Sequence, residues 1–202
     1  MRRRHVLIGM GVSVPLLSAG LFGSGLLTRR DPFAGYVGQV APDPPVQTEL
    51  EQAVLVEHPV ADLILFAEFS LTALVLSSRT YRDDLSSVAP VDLALAWGAS
   101  SDPEHIRDIE YWQHDRWYVY RSPNPISDEI RHSSSNMHMI PSDVGVERVL
   151  KTIRAGNLIR LSGHLCDIRK PGKPEILSSR SRTDRDGGAC EIVRIEALSV
   201  LS

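Results

Sequence analysis

The chain has 202 residues, of which 43% are hydrophobic and 23% are charged, so it can bury a sizeable core. This composition excludes a disordered tail, a coiled coil and a multi-span membrane protein. The net charge of -3 is unevenly spread, because five arginines and no acid precede Asp31, which leaves 17 basic and 25 acidic residues after them. An acidic body argues against a nucleic-acid partner, since affinity for phosphates depends on basic surface.

The amino terminus carries a membrane signal. Three arginines at positions 2–4 precede an uncharged stretch of 22 residues, Val6 to Leu27. A membrane-spanning helix needs about 20 apolar residues, whereas the apolar region of a signal peptide has about 7–15. We therefore expect residues 1–30 to be a single-pass anchor in the cytoplasmic (inner) membrane, with the rest on the periplasmic or extracytoplasmic side. A cleaved signal peptide, cut near the small residues at 18–20, is the alternative.

Residues 31–57 are predicted to form a tether and a short helix. Four prolines and two glycines before residue 46 favour extended, irregular backbone. The sequence Thr48-Glu49-Leu50-Glu51 has the form of a capping box, which predicts a short helix from there to about Val56. The remaining residues, 58–202, form the predicted β-rich domain.

Strand-like patterns dominate this domain. The predicted strands are Phe69 to Leu76, Ile109 to Trp112, Trp117 to Arg121, Leu158 to Ile168 and Glu191 to Val200. The segment from Asp83 to Trp97 fits either a short helix or a buried strand. A helix is predicted after Ser142, through Ile153, with Gly156 closing it.

Three strands, a helix and two further strands resemble the order of the OB-fold, a small Greek-key barrel. The segments AGNLIRLSGHLCDI and ACEIVRIEALSVL are similar to the closing strands of such barrels. The resemblance covers about the last hundred residues and requires an insertion around Asp83 to His105. It implies a mainly β, OB-like domain, but a fold alone assigns no function.

Three segments also resemble a family of uncharacterised bacterial proteins. They are APVDLALAWG (89–98), SSNMHMIP (134–141) and SSRSRTDRDGGACE (178–191). The resemblance spans roughly residues 60 to 200 and indicates one natural domain. No activity is associated with that family, so the resemblance implies no site residue.

The chain has two cysteines, Cys166 and Cys190. Strand alternation places each on the polar face of its strand, and antiparallel pairing of these strands would bring the faces together. An even number of cysteines in an exported domain favours a Cys166–Cys190 disulfide. Two unpaired structural thiols, or a reactive Cys190, are the alternatives.

A catalytic interpretation uses Cys190, which follows Gly187-Gly188-Ala189. His138 or His164 would be the base and Asn136 or Asp184 the orienting group, as in a Cys/His-dependent hydrolase or transferase. The glycines also fit a simple tight turn before the last strand.

The sequence also bears on two further kinds of site, a metal site and a ligand-binding surface. Histidine spacing typical of metal sites is missing, so we expect no metal or other cofactor, although a His132/His138 site in a metal-binding envelope protein stays an alternative. The candidate ligand-binding residues are charged or aromatic: Arg180, Arg182 and Arg185 for an anion, and Trp117 and Tyr118 for stacking.

Familiar enzyme motifs are missing from the sequence. The first expectation is therefore a non-catalytic, membrane-anchored binding or assembly module. Its partner would be an envelope protein, a peptide or a saccharide.

Overall fold

The computed structural model describes residues 31–181 and 190–202. In this part of the chain the structure is mainly β, with eight strands and three short helices. The strands are β1 (Val46–His58), β2 (Ala61–Thr80), β3 (Val91–Ala96), β4 (Glu110–His114), β5 (Trp117–Arg121), β6 (Ser134–Pro141), β7 (Leu158–Arg169) and β8 (Glu191–Val200). The helices are α1 (Pro103–Ile106), α2 (Asp128–His132) and α3 (Val144–Leu150), and 3₁₀ turns form at Asp84–Ser87 and Gly98–Ser101.

The main sheet closes on itself. Its strand order is β1-β2-β3-β6-β8-β7, and β7 also pairs with β2. The pairs are antiparallel except β6 with β8, which run parallel. Strand β2 makes closure possible, because its 20 residues pair with β1, β7 and β3. Helix α3 lies in the connection between β6 and β7.

The barrel interior is filled by alternate residues of its strands. Strand β2 contributes Phe69, Leu71 and Val75, and the facing strands contribute Leu93 and Met139 among others. Apolar residues at alternate positions are what a half-buried strand requires, since successive side chains point to opposite faces. The outer face is not uniformly polar, and two further apolar clusters form on it.

A two-stranded hairpin, β4–β5, stands apart from the main sheet. It lies in the long connection between β3 and β6, and its turn consists of Asp115 and Arg116, with φ of 48° and 67°. Such φ values match the hairpin twist, but they cost a non-glycine residue about 1 kcal/mol each. The contacts of Arg116, described below, offset that cost.

The short helix predicted from Thr48 to Val56 is wrong, since this segment belongs to β1. It pairs with β2 from Val46 opposite Ser70 to His58 opposite Ala61. An isolated helix of two turns is marginal in water, whereas β1 gains hydrogen bonds from a strand that is already formed. The capping box was a local signal that tertiary pairing overrode.

The predicted tether is folded onto the domain. Phe33 is buried in an apolar cluster with Leu76 and Ile106. The hydroxyl of Tyr36 donates a hydrogen bond of 2.9 Å to the carbonyl of Gly156. Prolines excluded regular structure here without preventing packing.

The predicted hairpin and the last two strands are confirmed as β4–β5, β7 and β8. The hairpin is outside the main sheet and lies in the connection between β3 and β6. The Asp83 to Trp97 segment contains both a 3₁₀ turn and the strand β3. Helix α3 ends at Leu150, before Ile153, and its amino-terminal cap is Asp143 rather than Ser142.

Among residues 31–181 and 190–202, no helix is long and apolar enough to cross a membrane. The predicted membrane segment, Val6 to Leu27, lies outside the described residues.

The close approach of β7 and β8 predicts that Gly163 tolerates no side chain. A Cβ atom there would lie 1.9 Å from the backbone oxygen of Arg194. We expect Gly163→Ala to lower the free energy of unfolding by about 3 kcal/mol. The control is Gly38→Ala, where φ is +66° and nothing lies within 4 Å, so only about 1 kcal/mol should be lost. Urea unfolding followed by tryptophan fluorescence measures both, and equal losses would contradict this packing.

Candidate active site

The register of the sheet assembles a polar cluster on the outer face of β3 and β6. Asp92 lies directly opposite His138, and Asn136 lies two residues earlier on β6, on the same face. Their neighbours Leu93 and Met137 point into the barrel. Cys190 immediately precedes Glu191, which pairs with Met137, so the cysteine arrives beside Asn136.

Asp92 and His138 form a buried ion pair. The Nδ1 atom of His138 lies 2.9 Å from Oδ1 of Asp92. The Asp92 side chain is fully buried and His138 is 8% exposed. The contact has ion-pair distance without the direction of a linear hydrogen bond, and Oδ2 of Asp92 has no partner among the described residues. The carboxylate of Asp92 thus holds the Nδ1 side of the imidazole by electrostatic attraction.

The thiol of Cys190 completes the cluster. Its interaction with the imidazole of His138 helps to raise the pKa of that histidine, and Nδ2 of Asn136 lies 3.5 Å from its sulfur. The Asn136 amide is itself held in place, because Nε2 of Gln113 donates to its Oδ1 at 2.6 Å. The backbone oxygen of Arg116 accepts from Nδ2 at 3.3 Å. Cys190 is half-buried, so a reactant can reach the sulfur more easily than the carboxylate.

His138 is protonated at neutral pH. Burial alone would lower the pKa of His138, but its interactions with Asp92 and Cys190 outweigh burial and raise the pKa to about 9. An imidazolium beside a cysteine sulfur favours the nucleophilic thiolate and can donate a proton to a leaving group.

Arg116 joins the cluster from the turn of the β4–β5 hairpin. Its guanidinium lies 2.7 Å from Oδ1 of Asp92, 2.6 Å from Oδ1 of Asp83 and 2.9 Å from the backbone oxygen of Ala89. It also stacks over the ring of Tyr81, 4.1 Å from the ring centre. The buried carboxylate therefore has two cationic partners, and the hairpin is tied to the barrel.

These groups form a chain of contacts rather than a convergent ligand set. In the described part of the protein, no group of three or more histidine, cysteine or acidic residues is arranged to hold a metal ion. The metal alternative at His132 and His138 has no support from these residues, and His138 is engaged with Asp92 and Cys190. A nucleophile, an acid–base group and an orienting carboxylate in sequence are the parts of a catalytic triad.

The predicted Cys166–Cys190 disulfide is not formed, and both thiols are free. Cys166 lies on the outer face as expected, but that face is covered there by an apolar cluster that includes Leu65 and Ile192. Leu165 pairs with Val193. Continued along the two strands, this register offsets Cys166 from Cys190 by two residues in the strand direction, which is about 6.6 Å. Burial raises the pKa of Cys166 to about 12.

Three of the candidate ligand-binding residues, Arg180, Tyr118 and Trp117, are described by the structure. Arg180 is bound by Asp167 at 2.6 Å and stacks on Phe66, so its charge is already neutralised. Tyr118 packs against Tyr111, with ring centres 5.9 Å apart, and burial raises its pKa well above the ordinary value. Trp117 is 52% exposed on the hairpin.

The remaining candidates are His164 and residues of the segment 182–189. The Nδ1 atom of His164 lies 3.2 Å from Glu196, so this histidine is engaged on the surface of β7. Arg182, Asp184, Arg185 and the glycines at 187 and 188 lie outside the described residues.

The sequence singles out Cys190, His138 and Asn136, which the fold brings together, but it does not single out Asp92, Arg116 and Gln113. Asp92 had a signal, because it is a charged residue inside the apolar run VDLALAW. Its partner depends on the β3–β6 register, which required recognising β6 as a strand. The role of Arg116 depends on where the hairpin packs against the barrel, and no local sequence pattern predicts that position.

Comparison with protein-family models, with curated proteins and with solved structures finds no match to this chain.

The raised pKa of His138 predicts a pH-dependent stability. A histidine whose pKa rises on folding from about 6.5 to about 9 contributes in full below pH 6.5 and loses that contribution as the pH rises through 9. The loss should reach about 3 kcal/mol between pH 6.5 and 9.5. Urea unfolding of the native protein and of His138→Gln measures it. The variant should lack this part of the slope, and parallel curves would contradict the ion pair.

Proposed function

We propose that this chain is a cysteine-dependent acyl hydrolase or transferase, with Cys190 as the nucleophile. His138 acts as the acid–base group and Asp92 orients it. The observation that carries the proposal is the continuous chain of contacts from the buried Asp92, through His138, to the half-buried Cys190. This arrangement of nucleophile, histidine and carboxylate recurs on unrelated folds and is recognised by its geometry, not by the order of the residues in the chain.

The chemistry follows from the positions of these groups. The sulfur of Cys190 attacks the carbonyl carbon of an acyl donor, and the imidazolium of His138 gives its proton to the departing group. The thioester is then released when neutral His138 removes a proton from water, in a hydrolase, or from an acceptor, in a transferase. Nδ2 of Asn136, 3.5 Å from the sulfur, is placed to donate to the developing oxyanion.

The strand order and directions support an OB-like barrel. Strands β2, β3, β6, β8 and β7 close in that order, with β6 and β8 parallel and α3 between β6 and β7. In OB-folds, ligands bind on the face of the second and third strands and on the two loops beside it. The corresponding strands here are β3 and β6, which carry Asp92, Asn136 and His138.

The proposed location is the outer side of the cytoplasmic membrane. It rests on the arginine-flanked apolar segment Val6 to Leu27, which is long enough for a membrane span. The described domain would then act on an acyl donor in the envelope.

A non-catalytic binding module is the second candidate function. It is supported by two tryptophans, Trp112 and Trp117, whose side chains are 37% and 52% exposed on the hairpin. Exposed aromatic rings offer flat surfaces on which a sugar ring or a peptide side chain can stack. In that case Cys190 would react no faster than free cysteine.

An acyl-transfer assay separates the two candidates. The full-length chain, purified in detergent, is treated with p-nitrophenyl acetate, while released p-nitrophenolate is followed by absorbance and acetyl adducts by mass spectrometry. We expect a burst, with acetylation of Cys190, that is faster than acetylation of free cysteine at the same pH. His138→Gln should slow the burst about 100-fold or more, since positioned acid–base groups contribute at least that factor.

Two variants calibrate the assay. Cys190→Ser should abolish the burst, and Cys166→Ala should leave it unchanged, because Cys166 is buried in a separate apolar cluster. Acetylation of Cys190 at the rate of free cysteine, or at equal rates in the native protein and His138→Gln, would refute the catalytic proposal and favour a binding module.

A further inference from the structure

The turn of the β4–β5 hairpin brings a cation to the carboxylate that orients His138. We propose that Arg116 is a positioning residue of the same site, which shares the Asp92 carboxylate with His138 and so limits how tightly the imidazole holds its proton. This inference rests on the proposed function, because it describes how that site is tuned.

The first argument is the shared oxygen. A guanidinium nitrogen of Arg116 lies 2.7 Å from Oδ1 of Asp92, and Nδ1 of His138 lies 2.9 Å from the same atom. The negative charge that stabilises the imidazolium is thus divided between two cations.

The second argument is that the guanidinium cannot easily move away. Its other edge donates to both oxygens of Asp83, at 2.6 Å and 2.8 Å, and a further hydrogen bond reaches the backbone oxygen of Ala89. The planar head of arginine suits such simultaneous contacts, which lysine cannot make. Arg116 is therefore held at a fixed distance from His138.

The third argument comes from the backbone. Arg116 adopts a φ of 67°, a conformation that glycine adopts far more readily than arginine. Its backbone oxygen also accepts a hydrogen bond from Asn136, whose amide lies against the sulfur of Cys190. One residue thus touches both the orienting carboxylate and the amide beside the nucleophile, at a position where the turn alone would favour glycine.

The charged groups around His138 determine whether removing Arg116 strengthens or weakens proton binding by the imidazole. Asp92 faces it from β3 and Cys190 from the segment before β8, and both favour the imidazolium. Arg116 faces it across Asp92 and opposes the imidazolium, while Asp83 and Tyr81 contact Arg116 rather than His138. Removing the guanidinium leaves Asp92 to His138 alone, so the imidazole should bind its proton more tightly.

The test replaces Arg116 with glycine. Glycine suits the turn conformation, so Arg116→Gly removes the guanidinium without straining the hairpin. Asp115→Gly is the matched control, because Asp115 has a φ of 48° in the same turn but no contact with Asp92. Arg116→Gln is a second variant that removes the charge and keeps a polar side chain.

Histidine titration reads out the effect. The full-length chain in detergent carries ¹³C-labelled histidine, and the His138 signal is assigned by its loss in His138→Gln. We expect the proton dissociation constant of His138 to fall at least threefold in Arg116→Gly and Arg116→Gln, and to be unchanged in Asp115→Gly. A constant that stays the same or rises in both Arg116 variants would overturn the inference.

This titration requires no catalysis, so the two proposals fail separately. If p-nitrophenyl acetate does not acetylate the native protein, the proposed function is wrong, whatever the histidine titration shows. A native burst together with an unmoved titration in the Arg116 variants removes only the positioning role.

Discussion

A single buried carboxylate organises the site and ties the inserted hairpin to the barrel. Asp92 has no solvent exposure, and a buried charge is tolerated only when cationic partners compensate for its lost hydration. His138 supplies one partner from the neighbouring strand, and Arg116 supplies the other from a turn more than twenty residues along the chain. The same constraint therefore positions the imidazole, secures the β4–β5 hairpin and places a protonated histidine beside Cys190.

The closed sheet supplies the rigidity on which this arrangement depends. Strand β2 carries pairing partners on both edges, and the parallel contact of β6 with β8 sets the position at which Cys190 enters the site. Asp92 and His138 are cross-strand neighbours, so their separation is fixed by backbone hydrogen bonds and not by flexible loops. Catalytic groups on strands are held more precisely than groups on loops.

The sequence predicted those features that depend on local pattern. The last two strands, the aromatic hairpin and the mainly β character followed from alternation, and Cys190, His138 and Asn136 were singled out by residue type. Features set by distant pairing are not predicted: the capping box is a local signal that predicts a helix where β1 forms, and β6 is absent from the predicted strands. Without β6 no register places Asp92 opposite His138. The cysteine count favours a disulfide, because the apolar cover over Cys166 comes from residues distant in sequence.

We propose that His138 controls the reactivity of Cys190. The most direct measurement is the rate of Cys190 alkylation by iodoacetamide from pH 5 to 10, in the native protein and in His138→Gln, with Cys166 in the same molecule as the internal reference. We expect native Cys190 still to react at a pH where the variant no longer does, while Cys166 stays unmodified throughout. Superimposable profiles for the native protein and the variant would contradict it.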